Sequence, residues 1–240
     1  MVVLKFEFNN FEFDIMKRSE INQIIREAKA FLASRQFVLP EWAEWSLADW
    51  KANRDKVGYI TERMLGWDIT DFGSGDFKRC GLFLFTIRNG KYGVDKKPYA
   101  EKIMIVEELQ ETPMHFHWSK MEDIINRGGG NLVIELYNAD KNEGFADTPV
   151  HYRIDGIEHT MEPGGKVILK PGQSICMEQY LYHRFYGEPG KGKVMVGEVS
   201  QCNDDTTDNR FYEPVGRFPE IEEDEAPLHL LCSDYTKFLG

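Results

Sequence analysis

The stretch Pro113–Asp123 holds His115, His117 and Glu122. In a strand, residues two apart project from the same face, so His115 and His117 would point the same way. Glu122 follows at a distance that a tight turn can fold back to that face. Two imidazoles and a carboxylate that converge outline a site for a divalent metal ion. A lone His-x-His pair is a weak signal. The nearby Glu122 and the turn-forming Gly128-Gly129-Gly130 strengthen it.

Several elements could position these groups. Short β-rich runs lie between turn signals from about Trp67 onward: 80–88, 102–109, 131–137, 150–154, 166–169, 174–177 and 193–200. No amphipathic helix of 10–15 residues separates them. A sandwich or barrel is therefore predicted and a parallel βαβ sheet is not. Upstream, Ile21, Ile24, Ile25, Ala28, Phe31 and Leu32 keep helical spacing after Ser19, which reads as an N-cap. Ser46 reads as the cap of a second short helix, with Asp49 as its capping-box partner. Trp42, Trp45 and Trp50 read as helix-to-sheet packing. Residues 1–15 read as a hairpin or an upstream extension, because Phe6, Phe8, Phe11 and Phe13 alternate with polar residues around Asn9-Asn10, while Met16 would itself serve as a start. The expected organisation is that segment, a helical region over 16–66, and a β-barrel over 67–240 that ends in an acidic segment.

Of the 240 residues, 29 are Lys or Arg and 40 are Asp or Glu, a net charge of −11. Polyanionic partners would be repelled, which excludes nucleic acid and anionic membrane as natural ligands. No apolar run approaches the ~18 residues of a membrane span. Cys80, Cys176, Cys202 and Cys232 are scattered, with neither zinc-knuckle nor disulfide-framework spacing, so a reduced cytoplasmic protein is expected. Residues 201–226 carry nine acids against two arginines. Within them Glu222–Glu225 reads as a solvated loop.

The His-x-His segment resembles the first conserved motif of the cupins, whose spacing is matched by His115, His117, Glu122 and Gly129. The motif's leading glycine is replaced by Leu109. The second cupin motif is matched at Gly165 and Pro171. It then departs, because Gly172 follows the proline directly and the next histidine is His183. With an insertion allowed there, the resemblance implies His183 as the fourth ligand. Tyr180, Tyr182, Phe185 and Tyr186 surround it with pocket-like residues. His151, His159 and His229 read as surface or packed histidines. Three imidazoles and a carboxylate leave open positions on an octahedral ion, and the set suits Mn²⁺, Fe²⁺, Co²⁺, Ni²⁺ or Zn²⁺.

Two further features bear on function. Lys102 interrupts an apolar strand leading to the histidines. The segment from Gly197 to Pro214 is rich in Asp, Asn and Arg and could clamp a polyhydroxylated ligand. With the helical region, these features resemble the D-lyxose isomerase family of cupins, over 16–240. The resemblance implies a mainly β fold, a cupin-type β-barrel (jelly roll) with an N-terminal helical region packed on it. It implies a manganese-dependent interconversion of D-lyxose with D-xylulose and of D-mannose with D-fructose. The family's active-site lysine and glutamate fall on Lys102 and Glu213, with Glu213 as the proton shuttle. Asp204 and Arg210 are added as sugar-binding residues from the composition of their segment. A monosaccharide substrate and a homodimer are expected. The competing expectations are an Fe²⁺ cupin dioxygenase and a non-catalytic sugar-binding cupin.

Overall fold

The computed structural model describes residues 15–202, 204, 207–216 and 218–240. The hairpin expected at the start of the chain lies outside the described residues, save for Ile15.

The chain enters through a two-residue strand, β1 (Met16–Lys17), and a helix, α1 (Arg18–Ser34). Short helices α2 (Leu47–Ala52) and α3 (Gly58–Glu62) come next. The strands are β2 (Gly66–Thr70), β3 (Leu82–Arg88), β4 (Tyr99–Val106), β5 (Thr112–Phe116), β6 (Glu122–Gly129), β7 (Leu132–Asn138) and β8 (Val150–Ile154), then β9 (Ile157–Met161), β10 (Gly165–Leu169), β11 (Ser174–Met177), β12 (Leu181–Gly187), β13 (Val194–Gln201), β14 (Arg210–Phe211) and β15 (Ile221–Glu222). A last helix, α4 (Tyr235–Leu239), ends the chain.

The fold is mainly β, as expected, and takes the form of a sandwich. A five-stranded sheet in the order β10-β7-β12-β5-β14 faces an eight-stranded sheet in the order β2-β3-β4-β13-β6-β11-β8-β9. Every pairing within these two sheets is antiparallel. Among the described residues no strand ladder joins the sheets, so the expected barrel is open.

Alternation divides the strands between two cores. Leu82, Leu84, Met104, Val106, Val194 and Val196 face the small sheet, where they meet Leu132, Ile134, Leu136 and Phe185. Their neighbours Phe83, Phe85, Ile103, Ile105 and Met195 face the opposite way, onto Ile21, Ile25, Ala28 and Leu32 of α1. Full burial of each large aliphatic side chain is worth about 1.5–3 kcal/mol, which fixes α1 across the outer face of the large sheet. The tryptophans pack as expected: Trp50 is buried, and Trp42 stacks on Phe85 with ring centroids 5.0 Å apart.

Helix α2 starts as expected, with Asp49 N–H donating to Ser46 Oγ and Ser46 N–H donating to Asp49. Helix α1 starts one residue before Ser19. Glu20 accepts from the Lys17 N–H, and the Ser19 hydroxyl donates to Asp224 instead. That bond is one of several from the acidic run to this helix. Glu223 takes two hydrogen bonds from the fully buried Arg18, Asp224 takes the Ser19 N–H, and Glu225 accepts from Asn22. The four acids are exposed, as expected of a solvated loop, and three of them also clamp α1.

Candidate metal centre and active site

The site forms between the inner faces of the two sheets. On the small sheet, β5 and β12 pair so that His115 and His183 stand directly opposite. His117 lies one residue beyond the end of β5. The ring centroids are 4.2 Å apart for His115–His183, 5.1 Å for His115–His117 and 5.5 Å for His117–His183. All three side chains are buried, and one nitrogen from each lies within 4.8 Å of the others. No other cluster of His, Cys, Asp or Glu among the described residues is placed to hold a metal ion. His151 and His159 are exposed on β8 and β9 around a separate cleft, and His229 is buried against Trp67.

The large sheet supplies the charged groups. Glu122 opens β6 and lies opposite Ser200 on β13. Glu198 is two residues earlier on the same face and lies opposite Lys102 on β4. Lys102 therefore points inward, beside Met104 on the inner face. Lys120, on the turn after His117, reaches the same place. Its Nζ is 2.6 Å from Glu122 Oε2 and 3.1 Å from Glu198 Oε1. Lys102 Nζ is 3.5 Å from Glu198 Oε1, and the Ser200 hydroxyl donates to that oxygen at 2.9 Å. Burial opposes a charge on Glu122, yet the Lys120 ammonium, 2.6 Å away, outweighs it and holds its carboxyl well below the usual carboxylate range.

The histidine hydrogen bonds test whether this set fits a cation. His115 Nδ1 lies 2.8 Å from the Pro113 carbonyl, His117 Nδ1 is 2.9 Å from the Asp208 carbonyl, and His183 Nδ1 is 2.9 Å from the Leu181 carbonyl. A carbonyl only accepts, so each Nδ1 carries a proton and donates. In the neutral ring Nε2 is then a bare lone pair. Burial, and then the neighbouring His183 and His117 rings, keep His115 well below the usual imidazole range and so neutral. The Nε2 atoms of His117 and His183 are buried without a hydrogen bond, yet lie 3.4 and 3.1 Å from Glu122 Oε1. With these rings in that neutral tautomer, their lone pairs face a carboxylate in a buried pocket. That arrangement is repulsive until a cation sits among them, and carbonyl-oriented imidazoles are the usual way proteins aim such ligands. The donor set fits a divalent ion.

The structure brings Lys102, His115, His117, Glu122 and His183 together. It does not bring the other expected residues to the cavity. Glu213 is exposed, and the second carboxylate lining the cavity is Glu198. Asp204 is exposed and is not among the lining residues. Arg210 is half-buried and donates through Nε to Glu143 at 3.0 Å. Glu198 and Lys120 were missed from sequence. For Glu198 a signal existed: Val194, Val196 and Glu198 share one strand face, and its apolar members mark that face as inward.

Chains of known structure share the fold. The L-ribose isomerase of Acinetobacter sp. DL28, solved with L-ribose, superposes with a TM-score of 0.56 at 17% identity over 87% of this chain and 99% of that one. The ligand-free L-ribose isomerase of Cellulomonas parahominis gives 0.55 at 15% identity over the same shares. Sequence relatives lie much nearer. The D-lyxose/D-mannose isomerase of Serratia proteamaculans is 50% identical over 228 residues, 94% of this chain and all of the relative. That of Escherichia coli O157:H7 is 48% identical over 227 residues, 93% of this chain and all of the relative. A β-sandwich with this buried site and these relatives is a sugar isomerase, an enzyme that exchanges an aldose with its ketose. Residues 16–235 match the D-lyxose isomerase family, and the chain belongs to it. The dioxygenase and the non-catalytic sugar binder are thereby set aside. No helix among the described residues is long and apolar enough to cross a membrane.

Proposed function

We propose that the protein is a metal-dependent isomerase that converts D-lyxose to D-xylulose and D-mannose to D-fructose. The observation that carries this reading is the meeting of imidazole lone pairs with the Glu122 carboxylate beside the Lys102–Glu198 pair. His115, His117, His183 and Glu122 would hold the ion, with Mn²⁺ as the proposed metal. When bound, it would supply Lewis-acid polarisation of the sugar's carbonyl and adjacent hydroxyl.

The chain's own residues account for the proton. Glu198 removes the proton from C2 of the open-chain aldose while the electrons of the carbonyl pass to O1. The enediolate then takes that proton back at C1, and the hydroxyl proton of O2 passes to the O1 alkoxide as the C2 carbonyl forms. A shuttle of this kind contributes on the order of 10²–10⁴ in rate. Lys102 and Lys120, both beside Glu198, offset negative charge on the sugar oxygens as it develops. Glu213, exposed and not among the lining residues, has no part in this step.

A homodimer belongs to the same reading. Strand β9 ends the eight-stranded sheet with residues Ile157–Thr160 all exposed, an edge that a second copy would cover. Sedimentation tests it. The function is tested by incubating Mn²⁺-loaded protein with D-lyxose, D-mannose and other aldoses and scoring ketose. D-xylulose and D-fructose formed in a chelator-sensitive manner support the proposal. Absence of both ketoses from metal-replete protein overturns it.

A further inference from the structure

Asp208 makes three bonds to one turn. Its two carboxylate oxygens accept the consecutive N–H groups of Ser119 and Lys120, each at 2.9 Å. Its backbone carbonyl accepts from His117 Nδ1 at 2.9 Å. The turn from His117 to Lys120 is thus held from its histidine to its lysine by one residue. Both ends face the cavity, through His117 Nε2 and Lys120 Nζ.

Strand β14 explains how residue 208 arrives there. Arg210 pairs with Phe116 and Phe211 with His115, so the chain just before β14 lies where β5 has ended. Phe211 lines the cavity with its ring 5.3 Å from that of His115. The far side of β14 is also anchored. Arg210 pairs with Glu143, which also accepts from the Trp118 indole N–H at 2.8 Å, and Tyr212 stacks on Phe145 with centroids 4.0 Å apart. The segment Asp208–Tyr212 is a clasp between two loops, and Asp208 is its contact with the metal-binding turn.

We infer that Asp208 is a positioning residue, which fixes the tautomer of His117 and the placement of Lys120 and so sets the affinity of the site for its metal ion. A carboxylate is suited to the task because two adjacent N–H groups point at it and both of its oxygens accept. An asparagine retains one acceptor and turns its NH₂ group toward the other N–H. Groups that orient metal ligands in this way typically govern affinity or activity by about 10- to 100-fold. The inference rests on the metal-binding part of the proposed function and extends it.

The test compares wild type with Asp208→Asn, which keeps the shape, and Asp208→Ala. The tautomer of His117 is read by ¹⁵N NMR before metal is added. Mn²⁺ affinity is read by titration calorimetry, and the Co²⁺-loaded forms are compared by visible absorption. Both variants keep the Asp208 carbonyl, but without the carboxylate's hold on Ser119 and Lys120 it is no longer pinned against His117. Expected are therefore a partial loss of the single His117 tautomer, a Mn²⁺ Kd raised about 10- to 100-fold, a shifted Co²⁺ spectrum, and a fall in kcat larger than the rise in KM. Asp208→Asn should fall between wild type and Asp208→Ala. A single Nδ1–H tautomer in Asp208→Asn, together with a Mn²⁺ Kd within about twofold of wild type, overturns the inference. The tautomer, affinity and absorption readouts need no sugar. A failed isomerase reading would show in the product assay, and a failure here would show in the spectra and the titration.

Discussion

His183 and His115 face each other across β12 and β5, cross-strand partners with ring centroids 4.2 Å apart. A sheet register, rather than a loop, sets the spacing of half of the proposed ligand set. Directly opposed residues cannot shift relative to each other without slipping the ladder, and a one-residue slip of either strand would turn its ring to the other face. His183→Ala and His115→Ala should therefore have equal effects. Each should lose bound Mn²⁺ and lower turnover by at least ~10², with the folded state retained. Metal content by atomic emission checks it. Stoichiometric metal in His183→Ala would remove that residue from the ligand set.

Removal of the ion should cost stability as well as activity. Without it, the His117 and His183 lone pairs confront Glu122 in a buried pocket. A ligand that binds only the folded state stabilises it by about 2.7 kcal/mol at a free concentration of 100 times its Kd. Chelator should abolish isomerisation and lower the melting temperature, and Mn²⁺ or Co²⁺ should restore both. Full turnover in metal-stripped protein would exclude the metal mechanism.

Features with a short period are legible in the sequence. The runs around β3, β8, β11 and β13 alternate or stay apolar between turns, and they are strands. His115 and His117 announce a shared face by their spacing alone. Glu198 carries the same kind of signal, two residues beyond Val196, but the acidic segment after it offers Glu213 as a competing carboxylate. Where Glu213 falls depends on β14, a two-residue strand whose place is set by pairing with β5. No local pattern encodes that pairing. The acidic run is exposed as it reads, but its clamp on α1 is hidden for a related reason. Nothing near Glu223 in sequence indicates that Arg18 is buried against it.

That clamp has a pH signature. The Arg18 hydrogen bonds, reinforced by Lys237, hold the Glu223 carboxyl down at about 2. A carboxyl whose pKa is lowered by folding contributes stability above its unfolded value, near 4.3, and loses it as pH falls toward the folded value. Wild type should lose stability between about pH 4.5 and pH 2 by more than Glu223→Gln does. Urea midpoints at several pH values measure this, and equal losses in the two proteins would refute it. Asp234→Ala should cost on the order of 3–5 kcal/mol at neutral pH, because it removes a partner from a buried guanidinium.

The sharpest test of the chemistry sets Glu198 against Glu213. Glu198 is buried between two lysines on the inner face of β13, whereas Glu213 is exposed. Glu198→Gln preserves shape and should preserve Mn²⁺ binding, because the residue is outside the proposed ligand set. It should lower kcat by ~10² or more, since the amide cannot take a proton. Glu213→Gln should turn over within about twofold of wild type, as surface substitutions usually do. Lys102→Ala should slow turnover without metal loss, by removing charge that counts most once the enediolate has formed. Deuterated water separates the routes. A carboxylate shuttle exchanges some of its proton with solvent, so wild-type ketose should carry deuterium at C1, and Glu198→Gln should suppress exchange and turnover together. If Glu198→Gln turned over normally while Glu213→Gln did not, the base would lie on the exposed segment. That segment would then have to fold over the cavity during the reaction.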